Sequence, residues 1–269
     1  MDCISVESKP ELADGPHFAD KFRFLYVIYN RVPKCASETI RFVFREQANA
    51  RDFSILNSRI YAPFDYNDTM QQKIISNIFK LAQPALYERH MYFIDFTAFQ
   101  KPQPVYINVI RDPLQRAISD YYFTRATYDC VKKYPELCLK AIQGVSNVVP
   151  FFCGQHPDCQ RIDDWSLKRA KQNINQFYTV IGITEDLYKF FYVLEKLLPL
   201  YFKNVCLLYM KEGSERAENQ LYSKYKKKPS NDTIAILRRY LTHEYDLYDY
   251  VKSRFYTQYR QLVDLDKWG

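Results

Sequence analysis

Short apolar runs alternate along the chain with longer stretches of helical period. Runs rich in β-branched and aromatic residues occupy 24–29, 105–110 and 178–183, and such runs are typical of buried strands. Two further short strands are expected over 91–96 and 206–209. Because helical patterns separate these strands, the sequence predicts an α/β fold with a mostly parallel, doubly wound sheet flanked by helices.

Apolar residues spaced three to four apart predict the helices. One helix is expected from the end of the first strand to about Ala48, and others over 70–83, 187–202 and about 230–262. Asp163 or Asp164 is expected to cap a helix that ends at Phe177. Because the sequence contains no internal repeat and no low-complexity linker, residues 1–269 are expected to form a single domain. Residues 1–21 are expected to be a poorly ordered N-terminal extension.

The sequence YNRVPKCASET over 29–39 joins the first strand to the following helix. A strand, a tight turn and a helix start make an anion site, because free N–H groups and the positive helix end face the turn. Lys34 adds a charge there, and Ser37 and Thr39 add hydroxyl donors, so a phosphate ligand is predicted. The turn is not a Walker A loop, since it holds no glycine. The alternative is a surface lysine in an ordinary strand-to-helix turn.

A second strand-to-helix junction follows residues 105–110. Asp112 is expected to cap the next helix, with Pro113 as its first residue. Arg111 would then lie at the carboxyl end of a strand, where open α/β sheets bind ligands, and Ser119 two turns into the helix. An arginine with a serine hydroxyl suits a second phosphate. The alternative is an arginine that pairs with a carboxylate beside a helix cap.

Charge and cysteine content narrow the class of protein. The 269 residues carry 38 basic and 31 acidic side chains, a net charge of +7 that favours a polyanionic partner. A nucleic-acid binder would fit this charge, but no zinc-ligand spacing, RNP-like aromatic motif or basic heptad region is present, so no nucleic-acid partner is predicted. None of the cysteines forms the C-x-x-C spacing that is typical of zinc sites, so no metal is expected.

The seven cysteines include two close pairs, Cys130 with Cys138 and Cys153 with Cys159. This spacing favours two short-loop disulfides and an oxidising compartment over seven free thiols in a cytosolic protein. Asn67 and Asn231 begin N-glycosylation sequons. No run approaches the ~20 apolar residues of a membrane span, and the N-terminus lacks a signal-peptide pattern.

Three separated motifs, YNRVPKCAS, YINVIRDP and PFFCGQHPDC, together resemble the glycosaminoglycan 2-O-sulfotransferases. The Arg89-His90 pair and the tyrosines at 245, 248 and 250 resemble the uronyl 2-O-sulfotransferase/Pipe branch of that family. The likeness extends from about residue 24 to 262. It implies a P-loop-like sulfotransferase fold that uses 3′-phosphoadenosine-5′-phosphosulfate. It also implies sulfation of the 2-hydroxyl of a uronic acid in a glycosaminoglycan polysaccharide.

The resemblance also assigns roles to individual residues. His90, expected to open the strand over 90–95, would be the general base, and Lys34 would stabilise charge on the leaving oxygen. Arg31 and Glu88 would act on the acceptor side, with Glu88 orienting His90 unless Arg89 competes for it. The residues expected to hold the nucleotide are Lys34, Cys35, Ala36, Ser37, Glu38, Thr39, Arg111, Ser119, Tyr209, Ser223 and Lys226.

The same resemblance implies bridges at both cysteine pairs, a homotrimer, and a Golgi-lumenal location through a type II membrane anchor that this chain lacks. One segment departs from the family, because only four residues separate Arg125 from Cys130, so acceptor-binding arginines of the longer family insert cannot be carried over. A non-catalytic glycosaminoglycan-binding protein is therefore an alternative. A P-loop phosphotransferase is another, weakened by the missing Walker glycines and Mg²⁺-binding aspartate.

Overall fold

A computed structural model describes residues 25–58, 64–125, 147–213 and 229–268. Five strands form one parallel sheet in the order β2-β3-β1-β4-β5. The predicted α/β class and the three long apolar strands are confirmed. The strands are β1 (Tyr26–Asn30), β2 (Ser54–Asn57), β3 (Ala85–Arg89), β4 (Val105–Ile110) and β5 (Tyr178–Ile183).

Helices cover the sheet and bury one apolar face each. In the helix over 164–177, for example, Leu167, Ala170 and Ile174 lie three to four residues apart and are all buried in the core. Asp163 forms a capping box with Ser166 at the start of this helix. The helices are α1 (Ser37–Arg51), α2 (Asp68–Ile78), α3 (Pro113–Arg125), α4 (Val149–Cys153), α5 (Asp164–Phe177), α6 (Leu187–Leu197), α7 (Pro199–Phe202), α8 (Val205–Leu208), α9 (Asn231–Tyr240) and α10 (Thr242–Trp268).

The strand predicted over 91–96 is wrong. The strand is β3, which ends at Arg89, and residues 91–95 run outside the sheet. Their backbone bonds go elsewhere: the Phe93 N–H donates to the Phe151 carbonyl, and the Tyr106 hydroxyl donates to the Ile94 carbonyl. The segment is apolar because its side chains are buried, and burial alone does not distinguish a paired strand from an unpaired extended segment.

The strand predicted over 206–209 is also wrong. It is helix α8, continued by a π-helical turn over Tyr209–Gly213. Asn204 in the left-handed region ends the preceding helical segment, and the Glu195 carboxylate accepts from the Cys206 N–H at 3.2 Å. The short half-exposed strand β2 was not foreseen, and the helix expected over 187–202 divides at Pro199, which cannot continue a helical hydrogen-bond ladder.

The limits of two helices differ from the predicted limits, and some predictions concern residues outside the described ranges. Helix α2 ends at Ile78, and the helical stretch beginning near residue 230 is interrupted at Leu241 and continues to Trp268. None of the helices within the described ranges is long and apolar enough to cross a membrane. The expectations for residues 1–21, Cys130, Cys138, Ser223 and Lys226 lie outside the described residues.

Candidate active site

Three predicted segments meet at the carboxyl edge of the sheet. Strand β1 lies between β3 and β4, with Asn30 opposite Arg89 and Tyr29 opposite Ile107. The turn over 31–36 follows β1, His90 follows β3 and Arg111 follows β4. His90 therefore does not open a strand, as the sequence suggested, but comes directly after one. Since ligands of open α/β sheets bind at this edge, where the connections change direction, the three segments form one candidate site.

The turn after β1 adopts a shape that usually requires glycine. Lys34 and Ala36 have φ values of 66° and 55°, both in the left-handed region. Such conformations are uncommon for residues with a side chain, and they concentrate at functional sites. Ala36 is the N-cap of α1 and offers no side-chain hydrogen bond, so the first N–H groups of the helix receive no cap from it. These N–H groups, from Ser37 onward, can bind an anion.

Side chains around the turn are suited to the same ligand. The buried Ser37 hydroxyl has no hydrogen-bond partner among the described residues, which leaves it able to donate to a ligand oxygen. Cys35 is fully buried, and burial raises the pKa of its thiol to about 12. The thiol therefore stays neutral, and Cys35 can offer its backbone N–H without adding negative charge. Thr39 is buried on the first turn of α1, and Glu38 is exposed there.

His90 is fixed by the main chain of the turn. Its Nδ1 atom lies 2.8 Å from the carbonyl oxygen of Arg31. A carbonyl oxygen only accepts hydrogen bonds, so we assign the proton to Nδ1 and the lone pair to Nε2. Burial, together with the positive charge of Arg31 and more weakly those of Arg41 and Lys34, lowers the pKa of His90 to about 4. The imidazole is therefore neutral near pH 7, with an acceptor at Nε2.

Glu88 does not contact His90 in the way the sequence suggested. Its carboxylate is fully buried, with Oε1 2.6 Å from Arg41 Nε and Oε2 3.8 Å from Arg31 Nε. Burial raises the pKa of Glu88, and the charges of Arg31, Arg41 and, most weakly, Arg45 oppose that effect. Arg89 does not compete for this carboxylate, because its guanidinium lies over the Tyr66 ring at 4.9 Å. An acceptor-binding role for Glu88 and Arg31 stays a prediction.

Arg111 and Ser119 lie on the other side of the turn. The predicted cap is confirmed, because Asp112 Oδ1 accepts from the Gln115 N–H at 2.9 Å. Arg111 is half-buried and has no ion-pair partner within the described ranges. The charge of Arg116, and more weakly that of Arg111, opposes the rise that burial causes in the pKa of Cys35. The positive charge of Arg111 therefore acts on the turn that contains Cys35. Ser119 is buried on α3.

A buried polar network beneath the turn was missed by the sequence reasoning. The Asn108 amide donates to the Asn30 carbonyl and side-chain oxygens at 2.7 and 2.9 Å, and the Tyr178 hydroxyl donates to Asn30 Oδ1 at 3.1 Å. The Asn30 amide in turn donates to the Phe151 carbonyl at 3.0 Å. These bonds join β1, β4, β5 and α4 directly under the site. The signal was one asparagine, Asn108, within a strand predicted to be buried and another, Asn30, directly after a second such strand, since buried amides need partners.

A second missed feature is a pair of buried charges behind the site. Glu244 of α10 is buried and accepts from the Val148 and Val149 N–H groups at the start of α4. Burial raises the pKa of Glu244, and the charge of Arg116 opposes this. The Arg116 guanidinium on α3 is fully buried without a hydrogen bond among the described residues. Nothing in the one-dimensional pattern relates residues 116 and 244.

The remaining predicted residues are placed as follows. The Tyr209 ring packs on Phe191 with 4.7 Å between centroids, and a Cβ atom at Gly213 would come within 2.6 Å of it. The disulfide between Cys153 and Cys159 is confirmed. Asn67 and Asn231 are both exposed at helix starts, and the Asn67 side chain accepts from the Met70 N–H.

Comparison with known proteins agrees with this geometry. The sequence profile of the sulfotransferase family matches residues 23–251. Uronyl 2-sulfotransferase of Mus musculus is 33% identical over 88% of this chain and 63% of its own length. Uronyl 2-sulfotransferase homolog pip of Drosophila melanogaster is 27% identical over 91% of this chain and 55% of its own length.

A third relative is Heparan sulfate 2-O-sulfotransferase 1 of Homo sapiens, 31% identical over 84% of this chain and 69% of its own length. The chain spans less than two thirds of the length of the two uronyl relatives. The profile match nevertheless includes the turn after β1, His90 and the Arg111 junction. The chain therefore belongs to the sulfotransferase family.

Proposed function

We propose that this chain transfers the sulfuryl group of 3′-phosphoadenosine-5′-phosphosulfate to the 2-hydroxyl of a uronic acid. The acceptor would be iduronate or glucuronate in a glycosaminoglycan such as dermatan, chondroitin or heparan sulfate. The observation that carries this proposal is the 2.8 Å contact between His90 Nδ1 and the Arg31 carbonyl, which joins a neutral base to an anion-binding turn. The names of the uronyl and heparan sulfate relatives support the acceptor class.

The residues present fit a nucleotide with two phosphate groups. The uncapped start of α1, with Lys34 and the N–H groups of 35–39, would hold the 5′-phosphate, and the partnerless Ser37 hydroxyl would donate to it. Arg111 and Ser119 would hold the 3′-phosphate. Tyr209, together with Ser223 and Lys226, would cover the nucleotide. When bound, the donor supplies a sulfuryl group that is already activated, so the proposal includes no metal.

The chain's own residues would handle the proton and the charge. Nε2 of His90 takes the proton of the acceptor hydroxyl as that oxygen attacks. Lys34 holds positive charge at the turn, where negative charge grows on the departing phosphate. Arg31, Arg41 and Lys34 oppose protonation of His90 in the ligand-free protein. Bound phosphates would offset those charges and raise the pKa of His90, which would make it a stronger base once the donor is in place.

The polysaccharide partner, the compartment and the assembly state belong to the same proposal. A net charge of +7 suits a polyanionic polysaccharide. The Cys153–Cys159 disulfide supports an oxidising compartment, for which we propose the Golgi lumen, with the chain as the lumenal part of a type II membrane protein. N-glycosylation at the exposed Asn67 and Asn231, and assembly as a homotrimer, belong to this proposal.

A sulfate-transfer assay tests the proposal directly. Radiolabelled donor would be offered with desulfated dermatan, chondroitin or heparan, and the products analysed as disaccharides. We expect label on the 2-position of a uronic acid with the wild type and none with His90→Gln. If the wild type binds adenosine 3′,5′-bisphosphate but labels no acceptor, the catalytic proposal fails, and a non-catalytic glycosaminoglycan-binding protein becomes the better description.

A further inference from the structure

An ion pair between helix α1 and strand β3 lies directly behind the proposed base. Arg41 Nε is 2.6 Å from Glu88 Oε1, and the Glu88 side chain is fully buried. Arg41 also contacts Glu38 one helical turn earlier, at 3.2 Å, so its guanidinium is held from both sides. A charge-assisted bond this short to a buried carboxylate is among the stronger polar contacts available to a protein.

The same carboxylate reaches the segment that holds His90. Glu88 Oε2 lies 3.8 Å from Arg31 Nε, and Arg31 Nη2 donates to the Ser58 carbonyl at 3.3 Å. The Arg31 N–H donates to the Arg89 carbonyl at 2.8 Å, and the Arg31 carbonyl faces His90 Nδ1. Residue 31 is therefore fixed through both its side chain and its main chain, and its carbonyl direction depends on that fixation.

We propose that Arg41 is a positioning residue for His90. It neutralises and holds the Glu88 carboxylate, which in turn holds Arg31 so that the Arg31 carbonyl keeps the His90 proton on Nδ1 and the lone pair on Nε2. The mechanistic consequence rests on the proposed function, but the effect on the imidazole does not. Arg41 is placed to act through Glu88 and Arg31, because within the described part of the chain its side chain bonds to Glu88 and Glu38 and not to His90.

Loss of Arg41 would change His90 in two ways. Glu88 would keep only the longer contact to Arg31, so the Arg31 side chain would be drawn toward an uncompensated buried carboxylate. Among the described residues, the charged groups around the imidazole are Arg31, Arg41 and Lys34, with Glu88 beyond Arg31, and the Phe64 ring packs 6.2 Å from it. Removing one of the three cations raises the pKa of His90.

The first experiment reads the imidazole itself and needs no substrate. Nitrogen NMR of the full chain labelled on histidine reports which ring nitrogen carries the proton, and His90→Gln identifies the His90 signals. The test variant is Arg41→Met. The matched control is Arg45→Met, which removes the same charge one turn further along α1 from an exposed side chain. Among the described residues, Arg45 donates to the Arg41 carbonyl and acts on Glu88 through its charge without contacting the carboxylate.

We expect wild type and Arg45→Met to hold the proton on Nδ1. In Arg41→Met we expect a mixture of the two tautomers and an upward shift of the His90 titration midpoint. An unchanged tautomer in Arg41→Met would overturn the proposal. Equal changes in Arg41→Met and Arg45→Met would also overturn it, since they would show a general effect of net charge.

A second variant guards against misfolding of the first. In Arg41→Gln with Glu88→Gln, no uncompensated carboxylate remains buried, the two amides can still bond, and Arg31 keeps its bond to the Ser58 carbonyl, so the fold has less reason to fail. The tautomer mixture is expected here as well. If the double variant folds and keeps the proton on Nδ1, the ion pair does not position His90.

Sulfate transfer provides the second readout. Misplacing the base by a fraction of an ångström to an ångström is expected to lower kcat by up to about 10²-fold, with unchanged affinity for adenosine 3′,5′-bisphosphate and with Arg41→Lys partly restoring kcat. If wild type itself transfers no sulfate, the proposed function fails while the NMR result still decides the role of Arg41. A changed tautomer with unchanged kcat would overturn the mechanistic part alone.

Discussion

The carbonyl oxygen of Arg31 and the Nδ1 atom of His90 are 2.8 Å apart, although the residues are separated by 59 positions in the chain. The contact crosses from the turn after β1 to the end of β3. It gives the imidazole one tautomer and one direction, and it joins the proposed base to the turn that is proposed to bind a phosphate. Any displacement of that turn therefore also displaces the base.

Replacing His90 separates catalysis from binding. His90→Gln removes the proton acceptor at Nε2 but keeps a side-chain amide that can bond to the Arg31 carbonyl. We expect sulfate transfer to be lost, with the affinity for adenosine 3′,5′-bisphosphate nearly unchanged by calorimetry. A large fall in nucleotide affinity would mean that His90 binds the nucleotide and is not the base.

Replacing Arg111 should have the opposite result. Arg111→Ala removes a charged donor that has no ion-pair partner in the described part of the chain, so its loss leaves no protein carboxylate stranded. We expect the affinity for adenosine 3′,5′-bisphosphate to fall by about 1.5–3 kcal/mol, the value of one charged hydrogen-bonded contact. Arg45→Ala, which also removes one positive charge but from an exposed side chain, is the control for net charge. Equal weakening in both would indicate general electrostatic attraction and no specific phosphate site.

The buried His90 should make stability depend on pH. The unfolded chain protonates histidine near pH ~6.5, whereas burial holds the pKa of His90 at about 4 in the folded protein. Protons therefore favour the unfolded chain between these values. The contribution of neutral His90 is fully present above pH ~6.5 and is lost as the pH falls toward 4, by about 2 kcal/mol between pH 7 and pH 5.

Urea unfolding of wild type and His90→Gln at pH 7 and pH 5 measures this difference. The wild type should lose about 2 kcal/mol more than the variant on acidification. Both proteins keep the other three histidines, so their titration cancels in the comparison. Identical pH dependence in the two proteins would show that His90 titrates near its ordinary pKa.

Local signals carried most of what the sequence could predict. The strand, turn and helix around Lys34 are contiguous, and so are Asp112 and the helix that it caps, so their geometry follows from neighbouring residues. The resemblance to the sulfotransferases selected His90 as the base, a role that stays a prediction, but it was expected at the start of a strand and lies directly after β3.

Long-range polar contacts could not be predicted in the same way. Glu88 was expected to orient His90 because the two are close in sequence. In the fold Glu88 pairs with Arg41, which is 47 positions away in the sequence and lies close to Glu88 because α1 packs beside β3. Asn30 and Asn108 likewise meet only because β1 and β4 are neighbours in the sheet. One sequence indicates that such buried groups need partners but does not identify them.

The Cys153–Cys159 disulfide should stabilise the protein without being required for nucleotide binding. For two cysteines six positions apart, the bridge is expected to add about 2 kcal/mol to the free energy of unfolding, because it restricts the conformations of the unfolded chain. The bridge closes the segment after α4, whose Phe151 carbonyl accepts from Asn30 beneath the turn. We expect the double variant Cys153→Ser, Cys159→Ser to lose about 2 kcal/mol of unfolding free energy and to keep its affinity for adenosine 3′,5′-bisphosphate. Dithiothreitol should lower the stability of wild type to that of the variant and leave the variant unaffected. A stability loss in the variant that dithiothreitol does not reproduce in wild type would indicate that the serines disturb packing, since Cys153 and Cys159 are both fully buried.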